Sequence, residues 1–265
     1  GNEQPKADEV AVRNYLTRDE CTPLSNPSGE LRRVLHNLCS EQWDECFDAL
    51  TAVRQLALHH SGVLNLQLHT VMLGLMEATH NLRSSVAKNA LLALHDVVGG
   101  MGQYLDPELE TIIPKLVKKA SESSSGFIGD EADKCLMSMC TSCTPSRVLS
   151  TLMATASDRV PVVRAKAAAH ISFCVGKMGA SVCQLRELNR LVNVGVKFMG
   201  EREQDARHAG RRLLYTLYTQ GAVELRQLQR LLQEREYRQL LELVQRGGPT
   251  STGSDVDFLV TNSSR

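Results

Sequence analysis

"VAKNALLALHDVVGGMG", residues 86–102, and "VRAKAAAHISFCVGKMG", residues 163–179, superimpose at a shift of 77. Val86 falls on Val163, Ala90 on Ala167, Leu94 on Ile171, Val98 on Val175, and Gly99 and Gly102 on Gly176 and Gly179. A looser template, a small residue followed by apolar residues four and seven places on, runs through the chain. It reads Ala49/Val53/Leu56, Ala90/Leu94/Val97, Ala132/Leu136/Met139, Ala167/Ile171/Cys174 and Gly210/Leu214/Leu217. That spacing puts each triplet on one helical face, with the small residue where a neighbouring helix comes close. The helix that opens at Pro161, a residue suited to a first turn, is filled with alanine. Ala167, Ala168 and Ala169 form too thin a face to anchor a core alone, so this helix is pressed between its own copies.

The small residues of the template stand 41, 42, 35 and 43 residues apart, in the range of HEAT or armadillo units. Alternating β-branched runs are nearly absent. The expected fold is therefore all-α: a HEAT-repeat solenoid of about six helical pairs. Partner helices are predicted at Glu30–Cys39, Leu64–Ala78, Pro107–Ala120, Pro145–Thr155, Leu185–Met199 and Val223–Glu234, with a closing helix near Tyr237–Val244. The repeat domain spans 29–246. Residues 1–28 form an N-terminal extension, with one short helix possible around Val10–Leu16, that packs on the first repeat. Residues 247–265 read as a disordered tail or linker.

The net charge of zero carries no basic field that points to nucleic acid, and the apolar runs are too short to span a membrane. The opening "GNEQPKADEV" carries no signal peptide. It reads as a segment of a longer multi-domain protein, with Gly1 a cloning scar and the domain itself monomeric. The eight cysteines sit mostly in apolar helical pattern and read as reduced thiols rather than a disulfide framework. "CTSC", Cys140 to Cys143, matches a CxxC pair, but no second pair stands at zinc-ribbon spacing. The glycines of "VVGGMG" follow a helix, at the end of the dipole where phosphate is disfavoured, and mark a helix exit. His59 and His60 close a helix. No catalytic constellation, metal site or cofactor site emerges.

In a solenoid the five turns inside the helical pairs align along one edge. They are "SEQWDE" (40–45), "THNLRSS" (79–85), "SESSSGFIGD" (121–130), "SDRVPVVR" (157–164) and "GEREQDAR" (200–207). Apolar or aromatic tips beside arginines are what a protein-binding edge displays. The layout resembles a TOG domain, the tubulin-binding HEAT module of the CLASP and crescerin (TOG array regulator of axonemal microtubules) proteins. The likeness rests on "QWDECFDAL", "NLRSSVAKNAL", "GFIGDEADKCLMSM", "VVRAKAAAHI" and "QDARHAGRRLLY", in that order, and covers roughly 29–246. "GFIGDEADKCL" leans toward crescerin. The third turn departs from the family pattern, with no lysine or arginine between Ser121 and Asp130.

The resemblance implies binding of the αβ-tubulin heterodimer by this edge, without chemistry, and regulation of microtubule dynamics in the cytoplasm and cytoskeleton, with the ciliary axoneme as the setting. The tubulin-binding residues it implies are Trp43, Leu82, Arg83, Gly126, Phe127, Arg159, Val160, Arg164, Lys166, Arg202, Arg207 and Arg211. A basic stripe including these and Lys88 would steer an acidic partner, and Trp43 and Leu82 would supply desolvated anchors. Plainer readings stay open beside these. Trp43 is equally a core tryptophan, Arg164 and Lys166 a solvated helix face, and Arg207, Arg211 and Arg212 internal partners of Glu201, Glu203 and Asp205. The whole edge also fits a HEAT scaffold for a non-tubulin protein.

Overall fold

The computed structural model describes residues 14–122 and 126–248. Its helices are α1 (Pro27–Asn37), α2 (Trp43–His59), α3 (Ser61–Asn65), α4 (Leu68–Ala78), α5 (Ser84–Met101), α6 (Leu109–Ser121) and α7 (Gly126–Ser142). They continue with α8 (Pro145–Thr155), α9 (Pro161–Met178), α10 (Leu188–Met199), α11 (Gln204–Thr219), α12 (Leu225–Leu231) and α13 (Glu234–Gln245). No strand occurs among the described residues.

The helices form six pairs, α1/α2, α4/α5, α6/α7, α8/α9, α10/α11 and α12/α13. The second members pack in a row, α2 on α5, α5 on α7, α7 on α9, α9 on α11 and α11 on α13. α2, α5, α7, α9 and α11 each carry one template triplet, and all fifteen template residues from Ala49 to Leu217 are buried. The small residue does what its size suggests at Gly210, where an added Cβ would stand 2.8 Å from Phe198 Cβ and 3.0 Å from the Gly195 carbonyl of α10. The matched helices α5 and α9 also end alike. Gly102 (φ 53°) and Gly179 (φ 56°) enter the left-handed region, which only glycine adopts at no steric cost, and each opens a short 3-10 segment.

Those 3-10 segments, 102–108 and 179–184, move the starts of two partner helices. Pro107 lies inside the first of them rather than at the head of α6, and α10 begins at Leu188 rather than Leu185. The helix expected from Leu64 is interrupted, with α3 ending at Asn65 and α4 beginning at Leu68.

Residues 14–26 run over the face of α2 and α5 that the partner layer leaves bare. Phe47, Arg54, Gln55 and His59 recur at helical spacing along α2, and each meets this segment. Tyr15 packs on Phe47 with ring centroids 5.6 Å apart, Gln55 donates to the Thr22 carbonyl at 2.9 Å, and His59 Nε2 lies 2.5 Å from the Cys21 carbonyl. The Leu24 N–H donates to His60 Nε2 at 3.0 Å. Arg54, 4% exposed, is the fastener: Nε donates to Asp96 of α5 at 2.7 Å and a terminal nitrogen to the Leu16 carbonyl at 2.6 Å. Removing one member of so buried a pair costs about 3–5 kcal/mol. Residues 14–17 are not helical; the rest of the helix expected around Val10, and the tail from 249, lie outside the described residues.

Candidate functional site: the edge of the intra-pair turns

Because the second helices lie side by side and start at the same end, their preceding turns fall in line. Side chains step from each turn to the next: Arg83 of the second lies over Trp43 of the first at 4.5 Å, and Lys88 of α5 over Phe127 of α7 at 3.9 Å. Lys118, near the end of α6, lies 3.8 Å from Asp158 in the fourth turn, and Arg164 pairs with Glu201 of the fifth at 2.8 Å.

Three of the turns are shaped by one local device. A short polar side chain accepts the backbone N–H two residues on, which curls the chain into the helix. Ser40 Oγ accepts from Gln42 (3.1 Å), Asn81 Oδ1 from Arg83 (2.9 Å) and Asp158 Oδ1 from Val160 (2.9 Å). The residue between acceptor and donor becomes the apex and points outward: Glu41, Leu82 and Arg159. Leu82 is 104% exposed, an apolar side chain presented wholly to solvent. Val160, Val162 and Phe127 are each nearly half exposed. Val162 was missed by sequence reasoning, although Pro161 at the first helical position leaves the residues on either side of it facing out. Gly126, exposed, begins α7 beside Phe127.

Trp43 is half-buried and packs against the core while its ring carries the Arg83 guanidinium. It also lines a shallow depression with Glu41, Asn81, Leu82 and Arg83. Arg83, Arg159 and Arg202 are exposed.

The remaining cations of the stripe are engaged inside the domain. Arg164 meets both carboxylate oxygens of Glu201 at 2.8 Å and donates to the carbonyls of Asp158 and Arg159, each at 3.1 Å. Its hydrogen bond to Glu201 holds that carboxyl below the ordinary carboxylate range. Arg207, which occupies the same fourth position of α11, donates to the carbonyls of Glu201 and Arg202 at 2.8 and 2.5 Å. Neither is a loosely solvated cation. Each ties a turn to its helix, and Arg207 does so through carbonyls rather than through the carboxylates of Glu201, Glu203 or Asp205. Arg211 reaches Gln239 of α13 at 2.8 Å, and burial pushes its pKa down.

Lys166 meets Asp133 of α7 at 2.5 Å, and the same carboxylate takes His170 Nε2 at 2.8 Å. Asp133 and His170 are fully buried, so Lys166 completes an internal polar cluster between α7 and α9. The cysteines are unbridged. Cys140 and Cys143 are buried at the end of α7, and burial pushes the Cys143 thiol up to about 12. Among the described residues no group of three or more His, Cys, Asp or Glu could hold a metal, and no helix is long and apolar enough to cross a membrane.

Comparison with known proteins meets this geometry from several sides. "TOG array regulator of axonemal microtubules protein 1" of Mus musculus is 30% identical over 202 residues, covering 75% of this chain and 11% of that protein. "Crescerin-like protein che-12" of Caenorhabditis elegans is 24% identical over 195 residues, covering 72% of this chain and 15% of that protein. The chain thus spans only a small part of the curated relatives it matches. Among solved structures, the TOG domain of C. elegans Zyg9 superposes with a TM-score of 0.65 at 13% identity, covering 82% of each chain. A chain solved for crescerin, which uses a TOG domain array to regulate microtubules in the primary cilium, superposes with a TM-score of 0.57 at 16% identity, covering 88% of this chain and 90% of that one. The model of the CLASP N-terminal family matches residues 49–239, most of the solenoid and four of its five turns, and the chain belongs to that family.

Proposed function

We propose that this chain is a TOG module that binds the αβ-tubulin heterodimer through the edge of its intra-pair turns. It does no chemistry on its partner, and it acts as one monomeric domain, residues 29–246, of a longer regulator of microtubule dynamics in the ciliary axoneme. The observation that carries the reading is the row of apolar tips interleaved with cations: half-buried Trp43 under Arg83, and the exposed Leu82, Phe127 under Lys88, and Val160 with Val162 beside Arg159. Support also comes from the relatives, named as regulators of axonemal microtubules.

A protein interface draws its affinity from a few desolvated aromatic or apolar anchors and its orientation from surrounding charge. The first three turns supply the anchors and the exposed Arg159 and Arg202 the orienting charge. Gly126 lets the partner approach the head of α7. Arg164, Lys166, Arg207 and Arg211 support the edge from behind. Gel filtration of the chain with αβ-tubulin tests this: co-elution at low salt that weakens at moderate salt is expected, and separate elution at low salt refutes it. The internal use of these four cations favours one alternative, a HEAT scaffold for a less acidic protein partner, and that reading gains if tubulin elutes alone.

A further inference from the structure

Lys88 stands on the first turns of α5, and its ammonium group is held between two rings. Phe127, at the head of α7, lies 3.9 Å from it by ring centroid and Tyr15 lies 4.3 Å from it. Tyr15 belongs to the N-terminal segment rather than to the solenoid. One residue further on, the Leu16 carbonyl is gripped by the buried Arg54, so the segment is fastened to α2 immediately behind the tyrosine. Packing on Phe47 fixes the ring from another side. The third turn has no lysine or arginine between Ser121 and Asp130, and Lys88 reaches over from the adjacent helix to place a positive charge on that turn's exposed aromatic. A lysine loses most of its rotamer freedom when a partner fixes it. Here two ring faces have already taken that freedom, so the cost of ordering Lys88 falls on folding rather than on binding.

We propose that Lys88 is the partner-binding cation of the third turn and that Tyr15 is its positioning residue, which makes the N-terminal segment a working part of the edge. The proposal rests on the reading of the edge as a tubulin-binding surface. A carboxylate of the acidic partner meets the ammonium above Phe127, where its three donors are fixed in place. With Tyr15 gone, Lys88 keeps one ring and a mobile stem, and binding weakens although the charge is unchanged.

The test compares affinities for αβ-tubulin at low salt among the wild-type chain, Tyr15→Ala, Tyr15→Phe, Lys88→Gln and the Tyr15→Ala/Lys88→Gln double variant. Lys88→Gln is expected to bind about tenfold more weakly, and Tyr15→Ala about three- to fivefold more weakly, the range one cation–π contact covers. Tyr15→Phe, which keeps the ring face, stays within about twofold of wild type, the rescue expected of a face-only role. In the Lys88→Gln background, Tyr15→Ala has no further effect. In the free chain, the Lys88 side-chain NMR signals lose Tyr15's part of their ring-current shift in Tyr15→Ala, keeping the part due to Phe127, and keep the whole shift in Tyr15→Phe. Additive losses in the double variant, or unshifted Lys88 signals in the wild type, overturn the positioning role. A wild type that binds as well as both single variants overturns this inference and leaves the edge reading standing, whereas a wild type that does not bind overturns both.

Discussion

Arg83, at the second turn, lies exposed across the ring of Trp43, whereas Arg164, at the fourth, is locked by four hydrogen bonds to Glu201 and two turn carbonyls. The contrast extends along the edge. In the first three turns the cations Arg83 and Lys88 ride on aromatic faces beside the bare Leu82 and Phe127. In the last two, Arg164, Lys166 and Arg207 are folded inward, and the residues left exposed are Arg159, Val160, Val162 and Arg202. An arginine near a turn thus has two distinct roles. Arg83, over the aromatic ring of the neighbouring turn, stays at the surface; Arg164 and Arg207, bound to the carbonyls of their own turns, become part of the scaffold.

The largest effect that can break this division lies in the inward half. Asp133→Ala removes the carboxylate that the fully buried His170 and the partly buried Lys166 share, at a cost of about 3–5 kcal/mol. Thermal denaturation followed by circular dichroism should show Tm lowered by roughly 6–20 °C for a domain of this size. A drop of less than about 3 °C, under 1.5 kcal/mol by the same scaling, would return Lys166 to the surface.

Next in size are the anchors of the outward half. Trp43→Ala should weaken tubulin binding by about tenfold or more, as hot-spot loss does, and also lower Tm by several degrees, because the ring is half-buried against the core. Leu82→Asp should weaken binding comparably with Tm unchanged, since nothing in the fold covers that side chain. A Trp43→Ala variant with wild-type Tm would show that the ring serves the partner alone.

Smaller again is the contrast between two arginines five residues apart. Arg164→Met removes charged hydrogen bonds, about 1.5–3 kcal/mol for one such bond, and should lower Tm without changing the salt dependence of association. Arg159→Glu should leave Tm alone, slow association several-fold and flatten its salt dependence, as a rim charge does. Exchanged outcomes would mean that the inward and outward assignments are reversed.

The smallest effect is a pH dependence. Arg164 depresses the Glu201 carboxyl below its unfolded value, so its contribution to stability is complete above the unfolded pKa and is lost as pH falls through the folded one. The Tm gap between wild type and Arg164→Met should therefore be constant from neutral pH to about 5 and shrink below that. A gap independent of pH down to strongly acid conditions would show that the carbonyl contacts, not Glu201, make up the interaction.

The repeat was legible because the triplets report packing directly. Ala90, Leu94 and Val97 must be buried for α5 to sit between α2 and α7, and periodicity records that requirement. The turns were legible for the same reason, since their position follows from where helices begin. What the turn side chains touch was not legible. Arg164 and Arg207 hold the same place in their helices, yet one takes a carboxylate of the next repeat and the other only carbonyls, a difference set by residues about forty positions apart in the chain. The 3-10 segments that displace α6 and α10 follow from the left-handed Gly102 and Gly179, whose role as helix exits was readable but not its consequence for the next helix. The third turn has no lysine or arginine of its own; that Lys88, on the helix of the preceding repeat, lies over its Phe127 is a contact no local motif reports.

The claim that the turn edge is the binding surface is tested most directly by titrating αβ-tubulin against three single variants at matched salt. Leu82→Asp and Phe127→Asp place a carboxylate on the edge. Leu73→Asp places one on α4 in the partner layer, where Leu73 is 50% exposed. Affinity should fall about tenfold or more in each edge variant, the size of a hot-spot loss, and stay unchanged in Leu73→Asp. Edge variants that bind like wild type, or a loss produced by Leu73→Asp alone, would contradict the claim.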